Sequence, residues 1–456
     1  MRSMVSSGPP GPLRVHPANP RYFCDSTGKT IYLTGSHTWS NLQEFESESP
    51  FNYEAYLDFM SKHNHCFMRM WTWECGTGGE WLHGWSEDKL LVKPLPYRRT
   101  PSGRFNLKEF DDEFFDRLRR RVIAAGRRGI YVSIMLFQGW DVESKGRGIS
   151  PFTQHPFNRN NNVNGVDGDP YGTGEGSLVH TVRIPEITFL QEAYVKKVVE
   201  TVNDLDNVLY EISNESSNES VEWQYHMIRL IHGFEKTLGK QHPVGMTVPW
   251  SPGSPGDNND LFRSPAEWVS PNTIAGNGYS YRYDPPPADG AKVVLLDTDH
   301  LWGIGGDASW VWKSFTRGYN PVFMDPYDSG YNAGGLTGLG LKNTGRIDPR
   351  WEPVRRAMGC TRTLAEKLNL AGLTPRPELA QTGYCLANPG AEYVVYVPRE
   401  YPLTIWVDLS GARGSLRAEW LHPATGETVG EEKVEGGWRR VFTAPLMEDA
   451  VLILSV

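Results

Sequence analysis

The chain has 456 residues, 39% hydrophobic and 22% charged, a balance typical of globular proteins but too long for one small core, so one large domain and one small one are expected. A formal net charge of −8 with scattered Lys and Arg excludes the basic footprint of a nucleic-acid binder, and a neutral or weakly charged partner suits it better. No run approaches the roughly 20 apolar residues of a membrane span.

Met1 to Leu13 is rich in Ser, Gly and Pro and lacks the apolar core of a signal peptide. The chain as written is expected to be cytoplasmic, or secreted if a leader has been trimmed. Cys24, Cys66, Cys75, Cys360 and Cys385 are odd in number, widely spaced and without CxxC or metal-type spacing, so free buried thiols are expected. Nothing calls for a cofactor or a bound metal, and the oligomeric state is open.

Strand-like runs at residues 30–35, 66–71, 130–137, 207–213, 243–248, 273–277, 292–297 and 321–325 alternate with helical stretches at 52–63, 109–126, 187–205, 221–238 and 351–369. That alternation predicts an α/β fold with a parallel sheet, and about eight strands is the number that closes a TIM (β/α)8 barrel. In the second helical stretch Phe110, Phe114, Phe115, Leu118, Val122 and Ile123 recur at helical spacing, which gives it one apolar face. A doubly wound sheet is the rival, but neither G-x-G-x-x-G after the first strand nor G-x-x-x-x-G-K-[ST] is present. Long loops at 74–106 and 138–184 fit an elaborated barrel mouth.

Near residue 370 the pattern changes to short β runs at 383–386, 392–397, 403–407, 416–421, 438–443 and 450–454, separated by turns such as Ala424-Thr425-Gly426. This predicts an antiparallel β-sandwich. The expected division is an N-terminal extension over 1–20, a barrel over 21–372 and the β domain over 378–456.

The run Val208-Leu209-Tyr210-Glu211-Ile212-Ser213 stops at Asn214-Glu215, and Val293-Val294-Leu295-Leu296 stops at Asp297-Thr298-Asp299-His300. Two carboxylates from different strands can flank one glycosidic bond. Glycoside cleavage needs a proton donor and a second carboxylate that attacks carbon or activates water. Glu215 is the candidate acid/base. For the second carboxylate Asp299 comes first and Asp297 second; alternation puts both on the same side of an ideal strand, so periodicity does not separate them. In this reading Asp297 sits deeper and orients His300 or Arg69. The other strand ends supply His37, Trp39, Arg69, Trp71, Trp73, Gln138, Trp140, Asn214, Trp250, Tyr279, Tyr281, His300, Trp302 and Asp325 as candidate saccharide contacts. Aromatic residues are 12% of the chain, with 16 Trp, and the flat faces of sugar rings stack on such side chains.

Three stretches carry a resemblance. They are Tyr22-Phe23-Cys24-Asp25 with Tyr32-Leu33-Thr34-Gly35-Ser36-His37-Thr38-Trp39, then Ile212-Ser213-Asn214-Glu215, and Leu296-Asp297-Thr298-Asp299. With these, the chain resembles cellulase-like (β/α)8 glycoside hydrolases related to the apiosidase-like family. Tyr384-Cys385-Leu386-Ala387-Asn388-Pro389-Gly390 with Glu392-Tyr393-Val394-Val395-Tyr396 resembles the small collagen-binding-type β domain that follows such barrels. The resemblance implies acid/base work for Glu215 and nucleophile work for the seventh-strand carboxylate, in a retaining mechanism on a plant or microbial saccharide. The seventh strand carries Asp where the wider superfamily commonly has Glu.

Two other readings stay open: a metal-dependent barrel hydrolase using His37, His300 and Asp297, and a catalytically silent carbohydrate-binding protein. Carboxyl groups about 5–5.5 Å apart would indicate retention and about 6.5–9.5 Å inversion. The loop from His155 to Asp169 is rich in oxygen ligands, yet Tyr171 stands where a calcium loop beginning at Asn160 would place its twelfth-position acid. A substrate-facing loop is expected there.

Overall fold

The computed structural model describes residues 9–45, 50–75, 92–146, 150–327 and 347–456, so residues 76–91 of the first long loop lie outside the described residues. Eight parallel strands form one sheet: β1 (Gly35–His37), β2 (Phe67–Met70), β3 (Tyr131–Gln138), β4 (Val208–Asn214), β5 (Val244–Thr247), β6 (Trp268–Ser270), β7 (Val293–Asp297) and β8 (Asn320–Met324). Their order is β1-β8-β7-β6-β5-β4-β3-β2. The Cys66 N–H donates to the Thr34 carbonyl at 2.9 Å, joining the two ends of the sheet into a barrel.

Strands buried on both faces read as continuous apolar runs, which is why β3 and β4 stand out in the sequence. Every residue of both is buried. In β4, Val208, Tyr210 and Ile212 face outward onto the helices, while Leu209 joins Phe67, Trp268, Leu295 and Val322 in the lower lumen. Gly245 makes room for that layer, since a Cβ there would meet the Trp268 ring at 1.8 Å. Around the barrel run α1 (Tyr53–Lys62), α2 (Asp112–Gly126), α3 (Pro185–Val202), α4 (Val221–Glu235), the short α5 (Asn258–Arg263) and α6 (Thr298–Leu301), then α7 (Ala308–Thr316) and α8 (Glu352–Ala365). Asp111 caps α2 by accepting the Glu113 N–H, and Phe114, Phe115, Leu118 and Val122 form its buried stripe.

Two of the expected strands differ from the sequence reading. The sixth strand is Trp268–Ser270, and residues 273–277 form a turn region in which Gly276, Asn277 and Gly278 all have positive φ. Residues 30–31 belong to a separate three-stranded antiparallel sheet with Arg14–Val15 and Phe23–Cys24, which packs Leu13 and Phe23 against Phe67, Leu209 and Val293 at the barrel's N-terminal end. Part of the expected N-terminal extension therefore has a structural place.

The C-terminal units are antiparallel: β9 (Cys385–Asn388), β10 (Glu392–Val397), β11 (Thr404–Asp408), β12 (Ser415–Leu421), β13 (Thr428–Glu435), β14 (Arg439–Thr443) and β15 (Ala450–Ser455). A six-stranded sheet, Thr374–Pro375 with β9-β10-β15-β12-β13, faces the two-stranded β11-β14 ribbon. Tyr393, Val395 and Val397 of β10 fill the core between them, while Val394 and Tyr396 turn to the barrel's own core. There Tyr396 stacks on Trp312 of α7 with ring centres 6.3 Å apart, and the Trp312 indole N–H donates to the Pro423 carbonyl at 3.1 Å.

Candidate active site

Two residues further along four of the strands, the lumen changes from apolar to ionisable side chains. Phe67 is followed by Arg69, Leu209 by Glu211, Leu295 by Asp297 and Gly35 by His37, all pointing inward by the period of two. Arg69 is the hub of this layer. Its guanidinium takes Glu211 in a bidentate grip at 2.8 and 2.6 Å, and reaches Asp297 at 3.0 Å, Asp299 at 2.9 Å and the Asn214 side-chain oxygen at 2.8 Å. Glu211 was not singled out from sequence, although an acid inside an otherwise apolar buried strand requires such a cation.

Asp297 ends β7 and sits deep, as expected. Its carboxylate accepts the Asp299 N–H at 2.9 Å, capping α6, and lies 2.9 Å from His37 Nε2. Burial alone would raise its pKa, but His37 and Arg69 outweigh burial and hold it well below the usual carboxylate range. It orients Arg69 and His37; His300 is held instead by Ser270 at 2.8 Å and Asn214 at 3.2 Å. Burial and the Arg69 charge push His300 down to about 3, so it stays neutral. Asp299 lies in the first turn of α6, two residues past the end of the strand, so the alternation argument that placed it beside Asp297 does not apply to it. Its side chain is 6% exposed, and burial raises its pKa against the opposing pull of Arg69.

Glu215 follows β4 with φ 45°, a left-handed conformation that a side chain adopts at a cost. Gly139 permits the turn, because a Cβ there would meet the Glu215 carbonyl oxygen at 2.2 Å. The half-buried Glu215 carboxylate accepts the Trp140 indole N–H. Burial first, then the Asp299 charge, pushes its pKa up to about 7, with Trp140, Lys145 and Arg69 opposing. Trp140 stacks on Trp250 with ring centres 5.2 Å apart, and Lys145 Nζ lies 5.2 Å over the Trp250 ring while donating to the Trp250 carbonyl at 2.7 Å. Lys145 escaped the sequence reading because nothing local distinguishes it from a loop lysine.

The remaining expected contacts divide. His37, Trp39, Arg69, Trp71, Trp73, Gln138, Trp140, Asn214, Trp250, Asp297 and His300 gather at this end of the barrel. Trp71 stacks on His37 at 5.6 Å and packs edge-on to Trp39, and the Trp73 indole donates to the Trp39 carbonyl at 3.0 Å. Gln138 accepts the Asn214 amide at 3.3 Å. Trp302 lies on the flank, edge-on to Trp310. Three expectations are corrected. Tyr281 packs on Tyr319, which precedes β8, and Tyr279 lies beneath Arg317, which follows α7, so both face the opposite end of the barrel. They were misplaced because the sixth strand was. Asp325 is fully buried in an ion pair with Arg355 of α8 at 2.5 and 2.8 Å, which leaves no oxygen for a sugar.

Sequence reading also missed a brace beside Glu215. Glu74 accepts the Gln138 N–H at 2.7 Å and lies 3.1 Å from His180 Nε2, while His180 Nδ1 meets the Ser216 hydroxyl at 2.8 Å. Burial opposes ionisation of Glu74, yet His180 and His155 bring its pKa down to about 2. Its buried neighbour Asp141 is pushed by burial up to about 8 and carries a proton at neutral pH.

Among the described residues no group of three or more His, Cys, Asp or Glu is arranged to hold a metal ion. A cavity of about 520 Å³ opens at the opposite end of the barrel between Lys29, Tyr32, Tyr131 and Arg362, and its carboxylates, Asp25 and Glu366, come from outside the eight barrel strands.

A glycoside hydrolase family 5 protein from Bacteroides vulgatus ATCC 8482 superposes with TM-score 0.61 at 15% identity, over 98% of this chain and 93% of that one. A second structure, described as a glycoside hydrolase, gives TM-score 0.61 at 13% identity, over 98% and 97%. What they share is the fold. At these identities the match establishes a TIM barrel followed by a β domain. No family profile and no curated protein matches the chain. No described helix is long and apolar enough to cross a membrane.

Proposed function

We propose that the protein is a glycoside hydrolase in which Glu215 is the acid/base and Asp299 the nucleophile. The observation that carries the reading is the unequal environment of these two carboxyl groups, one just after β4 and one on α6. Asp299 has a guanidinium at 2.9 Å, whereas Glu215 has a neutral indole N–H and burial that pushes its pKa up to about 7, so Glu215 is the better proton donor of the two. Glu215 gives that proton to the glycosidic oxygen as Asp299 attacks the anomeric carbon and the leaving group departs. Water then attacks the glycosyl ester, Glu215 takes its proton, and Asp299 is released as carboxylate. Asn214, held by Arg69 and His300, is placed to donate to the sugar 2-hydroxyl. Trp140 and Trp250 offer apolar faces beside Glu215 for a sugar ring.

The fold match to glycoside hydrolases supports this reading, as does the resemblance of the Asn214-Glu215 and Asp297-Thr298-Asp299 motifs to the apiosidase-like relatives. A plant or microbial saccharide is the proposed substrate, with glycan contact or barrel bracing as the task of the β domain. The metal-dependent alternative is not favoured, since among the described residues no group of three or more His, Cys, Asp or Glu is arranged to hold a metal ion.

The test is turnover across a panel of aryl glycosides and polysaccharides. Glu215→Gln and Asp299→Asn are each expected to lose about 10²–10⁴-fold or more in kcat, with Tm close to that of the parent. Parental turnover in either variant would remove that residue from the mechanism.

A further inference from the structure

On the flank of α7 lies a cavity of about 300 Å³, lined by Arg282, Tyr283, Trp302, Asp307, Trp310 and Lys313 among others. This is at the lower end of the range of ligand pockets, about 300–1,000 Å³. Its unusual member is Arg282. The guanidinium carbon lies 5.1 Å from the ring centres of both Tyr283 and Trp302, so two aromatic rings hold it in place. Among the described residues its side chain has no hydrogen-bond acceptor and no ion-pair partner, and its Nε is shielded from solvent and unpaired.

The other charges of the cavity are committed. Lys313 Nζ is 3.2 Å from Glu400 and lies over Tyr384, and the Asp307 carboxylate caps α7 by accepting the Trp310 N–H at 2.7 Å. Tyr283 is 64% exposed, so the clamp faces the solvent side of the cavity. A guanidinium offers five donors in a plane and no acceptor. Lying against two rings that are edge-on to each other, with centres 6.2 Å apart and planes at 86°, it keeps an edge whose geometry matches the paired oxygens of a carboxylate or a sulfate ester. The flanking aromatic surfaces suit a sugar ring.

We propose that this cavity is a second saccharide-binding site, distinct from the carboxylate pair, which takes an anionic group of a glycan on Arg282 between Tyr283 and Trp302. It rests on the glycosidase reading only in taking the ligand to be a glycan.

The test is calorimetric titration of the full chain and of its Glu215→Gln variant with three trisaccharides: a uronate, a sulfated sugar and a neutral sugar. At least one anionic probe is expected to bind both proteins equally, and Arg282→Met to weaken it about tenfold or more while leaving weak neutral binding unchanged. Whether the uronate or the sulfated probe responds identifies the anion. Tyr283→Ala, which removes a largely exposed ring, is the second variant and is expected to weaken the same probe. The proposal is overturned if neither anionic probe binds, if both variants bind like the parent, or if the neutral probe binds as tightly and loses as much. Binding without turnover of any neutral aryl glycoside would sink the catalytic reading and leave this one standing.

Discussion

Among the described residues two arginines, Arg69 and Arg355, are fully buried in the barrel, and they stand in opposite electrostatic circumstances. Arg355 meets one carboxylate, Asp325, and completes its hydrogen bonding on the Asp348 carbonyl, so its charge is balanced. Arg69 faces Glu211, Asp297 and Asp299 together, with Glu215 close enough for its pKa to feel both Arg69 and Asp299. Even with Lys145 beside Glu215, the cations are outnumbered by the acids, which leaves negative charge uncompensated. Structural pairs end in balance, whereas a site that must keep one acid protonated and another ionised does not.

The largest expected effect is the loss of turnover in Glu215→Gln and Asp299→Asn, since these touch the unbalanced side alone. Next come the arginines themselves. Arg69→Met and Arg355→Met each strand buried carboxylates and are each expected to cost about 3–5 kcal/mol in denaturant unfolding. Under folding conditions, turnover per folded molecule is expected to survive only in Arg355→Met. Equal activity in the two would dissolve the contrast.

The pH profile sharpens it further. A general acid works while protonated, so kcat/KM is expected to fall as pH rises through about 7, the pKa to which burial and Asp299 push Glu215. Asp299 must be ionised, and its raised pKa places the acid limb above the ordinary carboxylate value of about 3.9. Glu215→Gln should abolish the alkaline limb in any residual activity; its persistence would assign that limb to another group.

The smallest effects concern the aromatics. Tyr279→Ala and Tyr281→Ala are expected to leave KM for a neutral substrate within about twofold, whereas Trp250→Ala should raise it by about 5- to 30-fold, the equivalent of about 1–2 kcal/mol of ring contact. A large KM change in the tyrosine variants would return the loop after β6 to the mouth.

How far the sequence foretold this depended on the length of the signal. β3 and β4, with eight and seven buried residues, were plain, and so was the carboxylate that ends each key run. β6 has three residues, too few to show a period, while the neighbouring Thr273-Ile274-Ala275 imitated a strand before its glycine turn. β13 was missed because it is an edge strand with Glu431, Glu432 and Lys433 in sequence and no buried position to set an alternation. The Arg69 hub lay beyond local pattern altogether, since its partners come from residues 142 to 230 positions away and only closure of the barrel unites them.

β10 gives one set of side chains to its own sheet and the other to α7, where Tyr396 also bonds Ser309 at 2.9 Å. Because α7 spans the gap between β7 and β8, the C-terminal residues act as a buttress behind the stave that bears Asp297 and leads into Asp299. Changes made in the C-terminal residues, far from the mouth, can thus travel through one helix to the alignment of Asp299.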